Sequence, residues 1–536
     1  MDLRKVKDFL GKVMEVLEDS YVQLLVLFVI VVLMYELGFV KGWNIDLKLF
    51  AYVLPLFALP VLFRIGGKRE KEEFWNEKKV VLILLLLFVL VFGMRMIPYI
   101  GNSIPLGYDP GFYKYTMDLY ANGLPGIVEN SLPGWVKMMF PQGLFVLSSQ
   151  LWLIGGWSAE IVEKILFPLI CALLVLPVYM IGNRLFDKKV GIIAAVLYGV
   201  SYTQYAMFTF MYFKNVVGLF LLLLGLFLLE RKKYAPMILV YAGLGIYHRP
   251  EFLLFSLVLI PWLIKTKDKK LLEAIAITGL MIAPFWFPRL DYNLEVLKGV
   301  IGATTSALSG TPGGGGTFFG FEKYEWVSLS YLPFGLIGAL YLTIKKKFNS
   351  FFFLFVINGA IVLLQLFFYK RLIISLDLVM ILMAAIGIRY AIIGYEKIPK
   401  KLSYGLLILL IISSGLITVE LARNVKPLIG KENLDVIKSL NEMEENAFVM
   451  TDTNNAPWVL AYSGRRTIAP GLFEWDNCSK GEWFEFFVTT DLNKTTEFLN
   501  RYEKPLYIYA YENLGKEKFE NKCFEKINKK LIKWVC

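Results

Sequence analysis

Residues 80–115 read VVLILLLLFVLVFGMRMIPYIGNSIPLGYDPGFYKY. The first part is apolar almost without interruption and is long enough to cross a bilayer, which takes about 20 such residues. It ends on a cation, Arg95, and gives way to a turn-rich stretch in which Asp109 stands between Tyr108 and Pro110. A span followed by such a turn puts a carboxylate just outside the membrane, where a fixed turn can aim it at a substrate held in the interface. An Asp beside Pro also opens turns and caps helices, and a helix starting near Phe112 leaves that alternative open.

Outward from this stretch the whole chain is apolar. Of 536 residues, 57% are hydrophobic and 19% charged, and mean hydropathy is +0.55. That balance excludes an ordinary soluble protein and excludes disorder. Spans are expected over 21–40, 46–64, 79–98, 162–183, 190–209, 215–230, 234–248, 250–264, 271–288, 327–344, 349–369, 372–393 and 403–420. The fold class is therefore a polytopic α-helical membrane protein of about 13 spans. The short apolar run 141–154 reads as a re-entrant or interfacial helix.

The net charge of +12 does not imply nucleic acid, because of where it lies. Arg4, Lys5, Lys7 and Lys12, then Arg64, Lys68, Arg69, Lys71, Lys78 and Lys79, then Arg184, Lys188 and Lys189 fall in alternate loops. Arg231 to Lys233, Lys265 to Lys270, Lys345 to Lys347, and Lys397 to Lys401 continue the series. The positive-inside rule then places the N-terminus in the cytoplasm and the C-terminus outside. Residues 1–20 carry no signal-peptide core. Leu3, Val6, Phe9, Leu10, Val13 and Leu17 recur at helical spacing, which suits a cytoplasmic amphipathic helix on the membrane surface or one docked on its own protein.

Residues 421–536 read as a small extracytoplasmic α/β domain. Helical patterns at 431–446, 491–502 and 515–530 alternate with apolar runs at 447–450, 466–469 and 506–511. Cys478, Cys523 and Cys536 lie in this outer part, where disulfides persist, and a Cys478–Cys523 bridge is one of the pairings open to them. Asn477-Cys-Ser479 and Asn493-Lys-Thr495 match the glycosylation acceptor pattern.

The inner loops are short and contain no P-loop or strand–GxGxxG–helix. Chemistry is expected on the outer loops 98–161 and 289–326. A basic residue closing a span, then Asp109-Pro110-Gly111-Phe112, then Ala121-Asn122-Gly123, resembles the first external loop of GT-C glycosyltransferases. The nearest pattern is the D-P-W-F-N-Y-R of the oligosaccharyltransferase catalytic subunit. Met139-Phe140-Pro141-Gln142-Gly143 is similar to a Pro-x-Gly stretch later in that loop, and Gly191-Ile192-Ile193-Ala194-Ala195 resembles the family's G-L-x-A-A. The resemblance implies a GT-C fold, with Asp109 as the residue that faces the acceptor and serves as base or metal ligand. The chain departs from the pattern where the family has S-Y-D-N-E, here Phe210 to Asn215, and where it has W-W-D-Y-G, here Met450-Thr451-Asp452-Thr453; Trp475-Asp476 echoes the latter elsewhere. With Asp109 alone among the expected acidic positions, no cofactor is firmly implied, and a divalent metal is not favoured.

Cations stand where a phosphate would need them. Lys214 occupies the place of the lost acidic motif and can neutralise a phosphate as a point charge, or snorkel to the interface. His248-Arg249-Pro250-Glu251 lies between two spans; it reads as an Arg249 phosphate clamp assisted by His248 or Glu251, or as a capping turn with an Arg249–Glu251 pair. Tyr369-Lys370-Arg371 ends an outer turn, and the resemblance gives Arg371 a lipid-phosphate contact, with Lys370 beside it. Asp377, inside the next span, is a functional candidate or the partner of Lys370 or another cation. Ser309-Gly310-Thr311-Pro312-Gly313-Gly314-Gly315-Gly316-Thr317 reads as a mobile lid or a plain linker. Glu322, Glu325, Tyr113 and Arg95 complete the candidates for acid–base or acceptor contacts.

These readings converge on a membrane glycosyltransferase that moves a sugar from a polyprenyl-phosphate donor, dolichyl in an archaeal source, to an acceptor hydroxyl, with inversion, at the outer face of the cell membrane. The expected partners are that donor, membrane lipids, and a lipid-linked glycan, glycolipid or protein acceptor, with no nucleic acid. An oligosaccharyltransferase-like enzyme acting on protein is one alternative. A lipid or solute transporter is another, and a non-catalytic outer-surface scaffold is a third.

Overall fold

A computed structural model describes residues 3–40, 46–64, 77–123 and 125–536, with residues 3–10, 125 and 126 as backbone alone. The side chains of Arg4, Lys5 and Lys7, the apolar face from Leu3 to Leu10, and Lys68, Arg69 and Lys71 lie outside the described residues. All the expected spans fall on helices. Among the described residues, eight helices are long and apolar enough to cross a membrane, and two bent pairs raise the number to ten. Tyr234–Tyr247 and Ser350–Leu363 are shorter apolar helices, and Arg249–Thr266 carries charge at both ends. The chain is a multi-pass membrane protein.

The fold consists of two compact units. One comprises Met1–Pro98, Pro168–Phe208 and Phe213–Val425; the other comprises Tyr99–Phe167, Thr209–Tyr212 and Lys426–Cys536. Nearly all of the loop 98–161, expected on the outer side, thus belongs to the same unit as Lys426–Cys536. The expected surface helix at 1–20 is not a separate element, because Leu3–Glu36 runs on as one helix.

The helical unit is built around Tyr369–Ile393, whose spanning window is 94% buried. A span can be enclosed this closely only if its neighbours approach backbone to backbone, which small residues permit. A Cβ on Gly338 of Leu332–Ile344 would stand 2.0 Å from the Met383 carbonyl, and one on Gly387 would stand 2.1 Å from that of Phe334. Gly191, in the stretch that resembles G-L-x-A-A, plays the same part: a Cβ on Gly182 would lie 2.9 Å from its Cα.

Two helices break at this core. Lys188–Val200 and Tyr202–Thr209 meet at 47°, and Phe321–Val327 and Leu332–Ile344 at 98°. Asp377, fully buried, ties both breaks together. Its carboxylate accepts hydrogen bonds from Ser201 Oγ (2.8 Å) and Gln204 Nε2 (2.9 Å) and from the Tyr331 hydroxyl. Ser201 lies at the first break and Tyr331 at the second. The expected cation partner of Asp377 is therefore replaced by neutral donors, which satisfy a buried carboxylate without burying a second charge.

The second unit carries a five-stranded sheet in the order β2-β1-β3-β5-β4, with β1 Phe448–Met450, β2 Arg466–Ile468, β3 Leu506–Tyr509, β4 Phe524–Lys526 and β5 Leu531–Trp534. Strands β2, β1 and β3 are parallel, and β5 and β4 antiparallel. The charged stretch 515–530, expected as a helix, instead holds short 3-10 turns and β4. Pairing with β5 overrides its helical spacing. Cys523 bonds to Cys536, not to Cys478. That bridge joins the start of β4 to the end of β5, where Val535 N also donates to Cys523 O. Cys478 is a free, half-buried thiol, and Cys171 is free and buried.

Candidate active site

In the sheet-bearing unit the site is built at the carboxyl end of the parallel strands. The chain leaves β1 for β2 on one side and returns to β3 on the other, so strand order reverses between β1 and β3. Such a switch point leaves a crevice, the usual ligand position of open α/β sheets. Asp452 follows β1 there and spends its oxygens on Asn454 N (2.8 Å), Asn455 N and Nδ2 (3.2 and 2.7 Å), and Asn513 Nδ2 (2.8 Å) beyond β3.

The Asp109 turn docks on this edge. Tyr108 donates to Thr453 O at 2.7 Å. A Cβ on Gly111 would stand 2.1 Å from Pro457 O, so only glycine lets the Pro110–Ala121 helix start this close to Ala456–Tyr462. Asp109 precedes that helix, yet its side chain makes no capping hydrogen bond. The capping alternative does not hold. Burial, then the Asp109 and Asp452 carboxylates, push the Tyr108 phenol up to about 12.

Aromatic rings brace the turn from behind. Tyr113 is fully buried against Phe140 and Phe145, 5.8 and 6.2 Å between ring centroids. Its ring is part of the core. Phe473, in left-handed backbone at φ 68°, enters between Trp135 and Phe112, 5.3 and 6.0 Å away. Its loop is pinned by Asp476, which accepts from Gly471 N (2.6 Å), Cys478 N (3.1 Å) and Trp483 Nε1 (2.8 Å).

In the helical unit, the expected phosphate cations gather. Lys214, 7% exposed, opens Phe213–Glu230. One turn on, a Cβ at Gly218 would meet His248 Cβ at 3.0 Å and Glu251 Oε2 at 3.3 Å. His248 and Glu251 form a buried pair. Lys214, Arg371 and Arg249 all lie within electrostatic range of the imidazole. Sequence reading missed Arg289. It is 2% exposed and lies within range of Arg249.

The glycine stretch is fixed to this cluster and is not an open linker. Phe368 N donates to Gly314 O (2.8 Å), Lys370 N to Gly315 O (2.9 Å), and Gly313 N to Gln365 O (3.0 Å). Arg371 Nη2 donates to Thr317 Oγ1 at 2.8 Å. Much of the segment 289–326 before it is helix, Leu290–Leu308. Glu322 is exposed. Glu325 is held by Lys48 at 3.1 Å and by the Tyr52 hydroxyl. Arg95 is 1% exposed, with its guanidinium 5.7 to 5.9 Å from the rings of Tyr198, Tyr205 and Phe208. Rings thus surround its charge on several sides.

Among the described residues, no three His, Cys, Asp or Glu side chains gather as ligands of one ion. Asp452 is committed to amides. A divalent hard cation takes several oxygen ligands at once.

The fold is that of the GT-C membrane glycosyltransferases. Among solved structures, the apo oligosaccharyltransferase of Archaeoglobus fulgidus matches with a TM-score of 0.61 at 14% identity, over 82% of this chain and 70% of that one. The same archaeon's AglB, in complex with an inhibitory peptide and a dolichol-phosphate, matches at 0.50 and 14% identity over the same shares. ArnT of Cupriavidus metallidurans in the apo state matches at 0.54 and 11% identity, over 85% of this chain and 98% of that one. No protein-family model and no curated protein sequence matches the chain.

Proposed function

We propose that the protein transfers a sugar from a polyprenyl-phosphate donor to an acceptor hydroxyl at the outer face of the cell membrane, with inversion. The observation that carries this reading is the gathering of Lys214, Arg249 and Arg371 about one buried His248–Glu251 pair, in a multi-pass unit. Cations gathered at the starts of apolar helices suit an anionic group borne by a lipid. The likeness to an enzyme solved with a dolichol-phosphate supports the same class of donor.

In this mechanism Asp109 accepts the proton of the acceptor hydroxyl as its oxygen attacks the anomeric carbon. The glycosyl–phosphate bond breaks, and the lipid phosphate leaves with the bonding electrons. Lys214, Arg249 and Arg371, with Lys370 beside them, stabilise the charge that grows on that phosphate. His248, paired with Glu251, orients this cluster. A lipid-linked glycan, a glycolipid and a protein are the acceptors to assay.

The test is mass spectrometry of copurified lipid, followed by transfer assays with a panel of polyprenyl-phosphate sugars. Asp109→Asn should lower transfer by about 10²–10⁴-fold while the thermal midpoint holds. Wild-type transfer by that variant would refute the assignment.

A further inference from the structure

A cavity of about 260 Å³ opens between the C-terminal ends of the helices Val175–Leu185 and Phe213–Glu230. Met180 and Phe227 form its apolar wall, and Asn183, Arg184 and Arg231 its polar one. Arg184 is the last residue but one of the first helix, and Arg231 follows the second directly. Both stand in the loops that the positive-inside rule assigns to the cytoplasm, opposite the side on which sugar transfer is proposed.

The two guanidiniums are held at the cavity, and nothing neutralises them there. Arg184 Nη2 donates to the main-chain oxygen of Glu230 at 3.3 Å, which ties it to the neighbouring helix end. Arg231 lies over the Phe227 ring, its guanidinium carbon 5.1 Å from the centroid. The acids of the same two turns serve other groups. Glu230 Oε1 accepts from Ser350 N at 2.7 Å and from Ser350 Oγ at 2.6 Å. Asp187 pairs with Arg389 Nε at 2.9 Å and accepts from Val190 N at 2.8 Å. Among the described residues, no carboxylate pairs with Arg184 or Arg231. Closing a helix end accounts for one N–H of Arg184, whereas a guanidinium carries five.

Two uncompensated guanidiniums on one cavity attract an anion, and their forked N–H groups fit phosphate oxygens in pairs. The placement points to a lipid as the bearer of that phosphate. Arginines at span ends stand at headgroup depth, and basic pockets between spans at this face suit anionic headgroups. Met180 and Phe227 each lie four residues, about 6 Å, further along their helices into the membrane, where glycerol and the first methylenes of a lipid would meet them.

We infer that this cavity binds the phosphate headgroup of an anionic phospholipid, with Arg184 and Arg231 as its phosphate ligands. The site is separate from the transfer reaction proposed above and does not depend on it. A lipid seated there joins the ends of two packed helices through one phosphate and stabilises the folded unit by mass action.

The experiment is native mass spectrometry of the full-length protein in detergent, titrated with dioleoyl phosphatidylglycerol and with dioleoyl phosphatidylcholine, each with and without excess inorganic phosphate. The two lipids share their chains and their phosphate and differ in net charge. The double variant Arg184→Gln, Arg231→Gln removes both cations from the cavity. The control, Lys400→Gln, Lys401→Gln, removes two exposed cations expected at the same face but outside it. The expected results are preference for phosphatidylglycerol, a loss of about tenfold or more in its affinity with the arginine pair, and little loss with the lysine pair. Phosphatidylglycerol with a photoreactive headgroup should cross-link to residues 180–184 or 227–231 of the wild type, a readout that needs no variant. Equal losses in the two double variants would reduce the effect to general surface charge and overturn the site, as would cross-links elsewhere. Displacement of phosphatidylglycerol by inorganic phosphate, with both lipids otherwise bound alike, would make the ligand a soluble anion and overturn the lipid assignment.

Discussion

Asp377 accepts three hydrogen bonds from side chains that lie 46 to 176 positions away in the chain. Removing it leaves buried donors without an acceptor, so Asp377→Ala should cost about 3–5 kcal/mol, and Asp377→Asn, which keeps one acceptor oxygen, about 1–3 kcal/mol. Thermal midpoints in detergent separate the two; equal midpoints for Ala and wild type would show that the network is dispensable. A second residue-level prediction concerns acid. Glu444 is held by Lys533 (2.8 Å) and the Tyr507 hydroxyl, which depress its carboxyl from 4.5 to about 2. A depressed folded value means that the carboxylate adds stability above pH 4.5 and loses it as pH falls towards 2. Glu444→Gln should therefore flatten the fall in unfolding midpoint over that window. Asp109 stands out as a candidate in the sequence because Asp-Pro-Gly-Phe is a local signal. The donors to Asp377 could not, since Ser, Gln and Tyr carry no mark of a partner so distant. Arg289, between Pro288 and Leu290, reads as an ordinary cation at a span end; only its burial and its neighbour Arg249 distinguish it.

At the scale of elements, close approach is the controlling fact. Gly111→Ala would drive its methyl into the Pro457 carbonyl and should cost about 1–3 kcal/mol as the two helix starts move apart. The same substitution at Gly302, where nothing lies near, should leave the thermal midpoint within error. Equal effects at both sites would mean that the Asp109 turn does not depend on this contact. Helices of the membrane unit were legible because an apolar run has few alternatives in a bilayer. The stretch 515–530 misled because charged residues at helical spacing also suit a short exposed strand, and only pairing with β5 decides between them. The glycine stretch misled for a related reason. Four glycines signal backbone freedom, whereas here their carbonyls take up the first amides of the helix that carries Lys370 and Arg371.

For the whole molecule, the Cys523–Cys536 bridge closes a loop of sequence separation 13 and should add about 3 kcal/mol. Reductant should lower the unfolding transition of the sheet-bearing unit; an unmoved transition would mean that strand pairing alone holds β4 to β5. The bridge has a further, practical result. With Cys523 and Cys536 joined and Cys171 buried, Cys478 is the one half-exposed thiol in the natural sequence. The protein thus carries its own attachment point for a dye or spin label, and sidedness can be read without engineering. A membrane-impermeant maleimide applied to intact cells should mark the chain once, at Cys478, if the sheet-bearing unit faces outward, and only after lysis if it faces the cytoplasm.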